Sequence, residues 1–237
     1  MNKHLIELRN TSNDEFYTSI DDIEREMSYY DLEGLKIYCP CDSEESAFHK
    51  FFPNAICTCY NKGGKGRVFD GEWHDLEGDG DFRSDEVSKY WEWADVIITN
   101  PPFSLKTEFA DSLIRYGKRF IIVGHQTFLC NGAFANLYLE GKVDFGCTHC
   151  RSFVHDGEIV QRSDSLFFTN MEHKESKYRK KKGTPLPKRY DGMDAYDVPT
   201  NTIDLYGDGF EYEGEFVNHP MLGIPVTGLF TLDRTKW

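Results

Sequence analysis

The residues best suited to chemistry form a short turn, Asn100-Pro101-Pro102-Phe103, which follows the β-branched run Val96–Ile98. Such a run is typical of a strand that is buried on both faces. The prolines end the strand because neither can donate a ladder hydrogen bond. The Asn100 side chain and the carbonyl of Pro101 then supply two hydrogen-bond acceptors in succession, with an aromatic ring beside them. Because ligands of open α/β sheets bind at the carboxyl ends of strands, we expect this turn to face a ligand.

Two acceptors that converge on one amino group suit an aromatic amine such as N6 of adenine. The lone pair of that nitrogen is delocalised into the ring, so the nitrogen is a poor nucleophile. Hydrogen bonds from its protons to Asn100 and Pro101 would concentrate the lone pair, and stacking on Phe103 is worth about 1–3 kcal/mol. A base treated in this way must first leave the duplex stack. Two prolines after a strand also make a simple turn, but the buried strand and the aromatic residue together favour the chemical interpretation.

Strands and helices alternate around this turn, which predicts a doubly wound α/β domain. Helices are predicted at Ser19–Tyr30, after a cap at Ser43, at Asp85–Trp93, from a cap at Ser104 to Gly117, and around Gly132–Leu139. Strands are predicted at Leu35–Cys39, Ala55–Tyr60, Arg67–Trp73, Val96–Ile98, Arg119–Val123, Lys142–Phe145 and Ser165–Thr169. The pattern changes after this region, so we place a catalytic domain at residues 1–172 and a C-terminal extension of strands and loops at 173–237.

The composition of the 237 residues, 39% hydrophobic and 15% aromatic, is typical of a folded globular protein. No apolar run is long enough to span a membrane, and the N-terminus lacks the apolar core of a signal peptide, so we expect a cytoplasmic protein. The seven cysteines are then expected to be reduced thiols. Cys147-Thr-His-Cys150 has only half the spacing of a zinc site, and the acidic loop at 75–84 lacks the spacing of a calcium loop, so no metal is expected.

The formal net charge of −13 argues against polyanion binding over the whole surface. Eight basic residues nevertheless lie between Lys174 and Arg189. A solvated loop is the usual explanation of such a basic run, and a local contact with phosphates is the alternative; composition alone does not decide between them. On the second interpretation the nucleic-acid-binding residues are Lys177, Arg179, Lys180, Lys181, Lys182, Lys188 and Arg189.

Four segments resemble, in order, the EcoRI-type adenine-specific DNA methyltransferases, which are Rossmann-like and use S-adenosylmethionine. The four segments are Glu15–Thr18, Tyr38–Ser43, Gly80–Ser84 and Thr99–Phe103. The late segment Met221–Val226 is also similar to one near the end of that family. The order, with cofactor segments before the catalytic turn, resembles the gamma arrangement of amino-methyltransferases.

The resemblance implies a Rossmann-like sheet with helices on both faces and a short C-terminal strand and loop extension. It assigns the catalytic role to Asn100, Pro101, Pro102 and Phe103. It assigns cofactor binding to Phe16, Tyr17, Thr18, Cys39, Pro40, Cys41, Asp42, Ser43, Asp81 and Phe82, with Phe48 behind the loop at 39–43. In that scheme Asp81 accepts from the adenine amine of the cofactor and Phe82 packs on its ring. The cofactor loop of the superfamily is glycine-rich because the backbone approaches the ligand closely, whereas CPCDSEES contains no glycine.

The function implied is site-specific N6 methylation of a flipped adenine in double-stranded DNA, in restriction-modification or phage-type modification. S-adenosylmethionine would be converted to S-adenosylhomocysteine without a metal, by a monomer or weak dimer, and the C-terminal extension would recognise the DNA. Two alternatives stay open. The acidic net charge favours RNA or a protein glutamine as acceptor, and the glycine-free loop favours a non-catalytic DNA-binding or DNA-mimic relative.

Overall fold

The structure is a computed structural model that describes residues 17–125, 128, 132–139, 141–155, 158–161 and 165–173, and four short strands between 202 and 225. The strands are β1 (Tyr17–Thr18), β2 (Ile37–Pro40), β3 (Ile56–Cys59), β4 (Arg67–Phe69), β5 (Trp73–Asp75), β6 (Val96–Thr99), β7 (Arg119–His125), β8 (Asp144–His149), β9 (Ser152–His155), β10 (Glu158–Gln161), β11 (Ser165–Thr169), β12 (Thr202–Asp204), β13 (Phe210–Tyr212), β14 (Glu215–Val217) and β15 (Gly223–Pro225). The helices are α1 (Ile20–Met27), α2 (Ala47–Phe51), α3 (Asp85–Trp93), α4 (Lys106–Tyr116) and α5 (Gly132–Leu139).

Eight strands form one sheet in the order β5-β4-β3-β2-β6-β7-β11-β8. Its centre is parallel: β2 pairs with β3 on one side and with β6 on the other, and β6 pairs with β7. The strand β11 is inserted antiparallel between β7 and β8, and β4 and β5 extend the opposite edge as a hairpin. The strand order therefore reverses at β2, which confirms the predicted doubly wound α/β class.

Helices cover both faces of this sheet. On one face α3, α4 and α5 pack against Ile97 and Phe120, and on the other α1 and α2 pack against Val96 and Ile98. All four residues of β6 are buried, as the β-branched run predicted. The central strand that leads into the turn at 100–103 is therefore fixed from two sides.

A smaller sheet, in the order β1-β9-β10, lies beside the N-terminus of α1. Two carboxylates of α1 hold this region together. Asp22 accepts from the backbone N–H groups of Arg151 and Ser152 at 2.8 and 2.7 Å. Glu26, fully buried, accepts from the N–H groups of Cys147 and Thr148 at 2.7 and 2.6 Å.

Two predicted helix caps are wrong. The helix after β2 begins at Ala47 and is capped by Ser46 rather than Ser43, because residues 43–46 first form a turn that is closed by Ser46 N–H donating to Ser43 O. Ser104 likewise caps nothing, because Phe103–Leu105 forms a 3₁₀ turn and α4 starts only at Lys106. The predicted end of α4 is confirmed, since Gly117 adopts a left-handed φ of 59°.

The predicted strands need smaller corrections. The single strand expected at 67–73 is the hairpin of β4 and β5, and the strand expected at 142–145 begins at Asp144 and continues to His149. The strands β1, β9 and β10 were not predicted. Helices α3 and α5 and strand β11 have the predicted bounds. No helix in the described part of the chain is long and apolar enough to cross a membrane.

Candidate active site

A cleft of about 440 Å³ opens at the carboxyl ends of β2 and β6, where the strand order reverses. This is the position at which open α/β sheets bind ligands. Segments far apart in the sequence meet there. The predicted site residues that line the cleft are Thr18, Cys41, Asp42, Ser43, Asp81, Phe82, Asn100, Pro101, Pro102 and Phe103.

The turn after β6 forms one wall of the cleft. Asn100, Pro102 and Phe103 are half-buried and Pro101 is buried, so the turn is held by the protein yet reaches the cavity. Its position is fixed by Thr99, whose hydroxyl contacts both the carbonyl of Pro40 and the carboxyl group of Asp42. The last residue of β6 is therefore tied to the loop that follows β2.

That loop, from Cys41 to Ser46, forms the floor of the cleft. Cys41 has a φ of 70°, the left-handed conformation that usually selects glycine. The N–H of Asp42 donates to the carbonyl of Thr58 at 2.9 Å, which continues the pairing of β2 with β3 beyond the strand. The loop thus makes its sharp turn without the expected glycine.

Asp42 is buried at the bottom of the loop, with an exposure of 3%. Its carboxyl group accepts from Ser46 Oγ and lies 2.5 Å from Thr99 Oγ1. Burial raises the pKa of Asp42 to about 7, and these hydroxyl groups offset the shift only in part.

The loop at 78–84 forms the opposite wall. The carboxylate of Asp81 accepts from Nε and Nη2 of Arg83 at 2.9 and 2.5 Å, which holds the pKa of Asp81 below its usual range. Phe82 is buried against Phe109 with 5.1 Å between ring centroids, and its carbonyl accepts from Trp91 Nε1 at 3.1 Å. An acidic oxygen and an aromatic ring are therefore fixed side by side.

Gly80 fixes the start of this wall. Its φ is 76°, and a Cβ atom there would overlap the carbonyl oxygen of Cys59 and lie 3.1 Å from the Cα of Gly66. Only glycine allows the loop to approach β3 so closely. The positions of Asp81 and Phe82 depend on this approach.

The remaining predicted residues lie elsewhere. Cys39 is fully buried in the core that α1 and α2 cover, and Pro40 is buried with its carbonyl bound to Thr99. Tyr17 pairs with Val154 in the small sheet. Phe16 and the basic run at 174–189 lie outside the described residues. All six cysteines that the structure describes are thiols, as predicted.

Several lining residues were not predicted. They are Ser46, Cys59, Tyr60, Arg83, Ser104 and Leu105. Cys59 and Tyr60 could have been found, because β3 is parallel to β2 and its carboxyl end must lie at the same edge. The strand order places Cys59 and Tyr60 there, whereas Arg83 is held in the cleft wall by its ion pair with Asp81.

Fold and cleft together define a class: a doubly wound α/β protein with a cleft at the switch point and an acceptor-bearing turn in the wall of that cleft. The family model described as adenine-specific methyltransferase EcoRI matches residues 4–65 and 57–184, more than half of the chain. The chain therefore belongs to the EcoRI family of adenine-specific methyltransferases.

Individual relatives agree with this family. The type II methyltransferase M.EcoRI of Escherichia coli is 29% identical over 290 aligned positions, covering 96% of this chain and 85% of the relative. The type II methyltransferase M.MgeORF184P of Mycoplasma genitalium is 31% identical, and the alignment covers 70% of this chain and 59% of the relative. The type II methyltransferase M.MpnI of Mycoplasma pneumoniae is 30% identical, and the alignment covers 59% of this chain and 49% of the relative. No solved structure matches the chain significantly.

Proposed function

We propose that this protein is a DNA methyltransferase that transfers a methyl group from S-adenosylmethionine to N6 of adenine at a specific site, in restriction-modification. The observation that carries the proposal is the convergence of the turn at 100–103 with the loops at 41–46 and 80–83 in one cleft. Membership of the EcoRI family and the names of the relatives support the same activity.

The cleft fits a nucleoside-type cofactor. The Asp81 carboxylate offers lone pairs beyond those used by Arg83, so it has capacity for an adenine amine. The Phe82 ring lies next to it in the cleft wall, and about 440 Å³ is within the range of small-molecule pockets. S-adenosylmethionine would supply an electrophilic methyl group here.

Asn100 and Pro101 then act on the acceptor. The side-chain oxygen of Asn100 and the carbonyl of Pro101 accept hydrogen bonds from the two N–H groups of the adenine amine, which localises the lone pair on nitrogen. Phe103 stacks on the flipped base. Transfer is a direct displacement that needs no covalent enzyme intermediate. The two prolines restrict the backbone of the turn, so the acceptors are held in place before the base arrives.

Methyl transfer from labelled S-adenosylmethionine tests the proposal, with DNA, RNA and protein offered as separate acceptors. We expect label in DNA, recovered as N6-methyladenine. Asn100→Ala should reduce the rate by about 10²–10³-fold, the usual loss when one fixed hydrogen-bonding group is removed from a reacting centre. Asn54→Ala, which alters an exposed asparagine in a turn, is the matched control and should transfer at the wild-type rate.

Each alternative has its own outcome in this experiment. Label in RNA or protein alone would replace DNA as the acceptor, and no label in any fraction would favour the non-catalytic alternative. Full activity of Asn100→Ala would contradict the mechanism. Four expectations from the sequence stay predictions. They are contact between the basic run and DNA, a monomeric or weakly dimeric state, independence from metal, and a cytoplasmic location.

A further inference from the structure

The hydroxyl group of Thr99 lies between two acceptor oxygens. One is the carbonyl of Pro40, at hydrogen-bonding distance, and the other is Oδ2 of Asp42, 2.5 Å away. On its other side Asp42 accepts through Oδ1 from the hydroxyl of Ser46, and Ser46 Oγ in turn accepts from the N–H of Phe48 at 3.1 Å. These groups form one continuous chain of hydrogen bonds in the floor of the cleft.

The number of protons in this chain depends on the state of Asp42. A threonine hydroxyl has one proton, and a backbone carbonyl only accepts. If Asp42 were ionised, the Thr99 hydroxyl could donate to only one of its two neighbours, the Pro40 carbonyl or Asp42 Oδ2. The other contact would then bring two oxygen lone pairs together. If Oδ2 of Asp42 carries a proton, it donates to Thr99, which then donates to Pro40. Every contact is then a hydrogen bond, and a buried unsatisfied acceptor, which is costly, is avoided.

The surroundings of Asp42 favour the neutral acid. The titratable side chains on β2, on β3 and next to them in the cleft are thiols and phenols, none of which carries a positive charge: Tyr38, Cys39, Cys41, Cys57, Cys59 and Tyr60. Burial raises the pKa of both Cys39 and Tyr38. Arg83, the guanidinium that lines the cleft, forms an ion pair with Asp81.

Neither the loop nor α2 supplies a compensating cation. In the loop of Asp42 itself, Glu44 and Glu45 are exposed. On α2, burial lowers the pKa of His49, and Lys50 is exposed and bound to Glu45. No cation among the described residues forms an ion pair with Asp42.

We propose that Asp42 is a protonated carboxylic acid in the ligand-free protein and that it releases this proton when the sulfonium cofactor enters the cleft. The inference rests on the proposed function. A sulfonium ion is a cation, and a cation near a buried acid favours the carboxylate. The thioether product has no such charge. Asp42 is therefore the group by which the site distinguishes the methyl-bearing cofactor from the spent one.

The proton on Asp42 is tested without any ligand by infrared spectroscopy. The difference spectrum between wild type and Asp42→Asn should contain the carbonyl band of a carboxylic acid at pH 6, and the band should disappear as the pH rises above 7. Asparagine can accept from Ser46 and donate to Thr99, so this variant is expected to fold. Asp111→Asn removes an exposed carboxylate and should leave the band in place.

The release of the proton is tested by calorimetry at pH 6 in buffers of different ionisation enthalpy. Wild type should release about one proton on binding S-adenosylmethionine and none on binding S-adenosylhomocysteine, and Asp42→Asn should release none with either ligand. The affinity of wild type for S-adenosylmethionine should fall about tenfold for each pH unit below 7, and that of Asp42→Asn should not.

The outcomes separate the two proposals. A missing acid band with intact cofactor binding overturns the proton on Asp42 and leaves the function standing. Equal proton release by Asp42→Asn, or by wild type with S-adenosylhomocysteine, overturns the discrimination. If neither ligand binds while the acid band is present, the proposed function fails and the release with it.

Discussion

Cys41 shows how the loop after β2 makes its sharp turn without glycine. A left-handed conformation costs a residue with a side chain about 1–2 kcal/mol, and Cys41 adopts one with a φ of 70°. The loop is anchored on both sides of it, by the Pro40 carbonyl bound to Thr99 and by the Asp42 N–H bound to Thr58. These contacts hold the turn in place of glycine, so the lack of glycine in CPCDSEES does not prevent the loop from forming the floor of the cleft.

Replacing Cys41 by glycine and by alanine separates the backbone cost from the effect of removing the thiol. Cys41→Gly should be about 1 kcal/mol more stable than Cys41→Ala, because only alanine keeps a Cβ in the left-handed region. Cys59 has no positive φ, so there the alanine variant should be more stable than the glycine variant by about 0.5–1 kcal/mol. Urea unfolding of the four variants measures both differences. The same order at both positions would contradict the assigned backbone strain.

The raised pKa of Asp42 makes a second prediction, about stability and pH. In the folded state Asp42 keeps its proton up to about pH 7, whereas in the unfolded chain Asp42 loses it near pH 4. The folded state therefore binds more protons between these values, so the contribution of Asp42 to stability is highest below pH 4 and falls as the pH rises toward 7. The total fall due to Asp42 is on the order of 1–4 kcal/mol.

Asp42→Asn removes this pH dependence. The free energy of unfolding of Asp42→Asn minus that of wild type should increase from pH 4.5 to pH 7.5, as measured by urea unfolding at several pH values. Asp111→Asn, which alters an exposed carboxylate, should follow the wild-type curve. A constant difference between wild type and Asp42→Asn across this range would show that Asp42 does not titrate as described.

At the scale of elements, the wall that carries Asp81 and Phe82 depends on one close approach. Gly80 and Gly63 have almost the same φ, 76° and 75°, but only a side chain at Gly80 would overlap neighbouring backbone. Gly63 therefore serves as a matched control for the cost of the left-handed conformation itself.

Gly63→Ala should reduce stability by about 1 kcal/mol, and Gly80→Ala by about 2–4 kcal/mol, because the second change also forces the loop away from Cys59. The displaced loop should bind S-adenosylmethionine at least about tenfold more weakly. Thermal unfolding and calorimetry measure the two effects. Equal reductions for the two variants would mean that the contact between Gly80 and Cys59 does not position the wall.

Features of the fold that depend on neighbouring residues could be predicted from the sequence, whereas features that depend on distant residues could not. The turn at 100–103 and the end of α4 at Gly117 were predictable because prolines and glycine act locally. The caps at Ser43 and Ser104 were wrong because a turn or a 3₁₀ segment intervenes, and competing serines look alike in sequence.

Features that join distant parts of the chain carried no local signal. The strands β1 and β9 are short and pair across the whole domain, Tyr17 with Val154. The contact of Asp42 with Thr99 spans 57 residues. Those contacts arise from the order of strands in the sheet, which alternation alone does not specify.

At the scale of the whole molecule, an enzyme of net charge −13 must concentrate its contacts with DNA in a small area. Replacing Lys180, Lys181 and Lys182 by glutamine should weaken binding to all DNA sequences alike. The slope of log affinity against log salt should become shallower by about 0.9 for each phosphate that the variant no longer neutralises. Titrations at several salt concentrations measure this slope.

The control must change the net charge equally. Lys50, Lys89 and Lys142 are exposed and lie in separate parts of the domain, so their replacement by glutamine makes the same change elsewhere. If both triple variants change DNA affinity and its salt dependence equally, the basic run does not contact DNA and the interpretation as a solvated loop is favoured.

The pairing of β1 with β9 also constrains the order of events during synthesis. Thr18 reaches the cleft on a strand that pairs with Phe153, and α1 is held by N–H groups at 147–152. The strand β8, which carries some of those groups, joins the main sheet through β11, which ends at Thr169. A nascent chain can therefore build the strands at 37–125 early, but its N-terminal segment must wait for about 150 further residues. The cleft is therefore completed last, once the chain as far as Thr169 has left the ribosome.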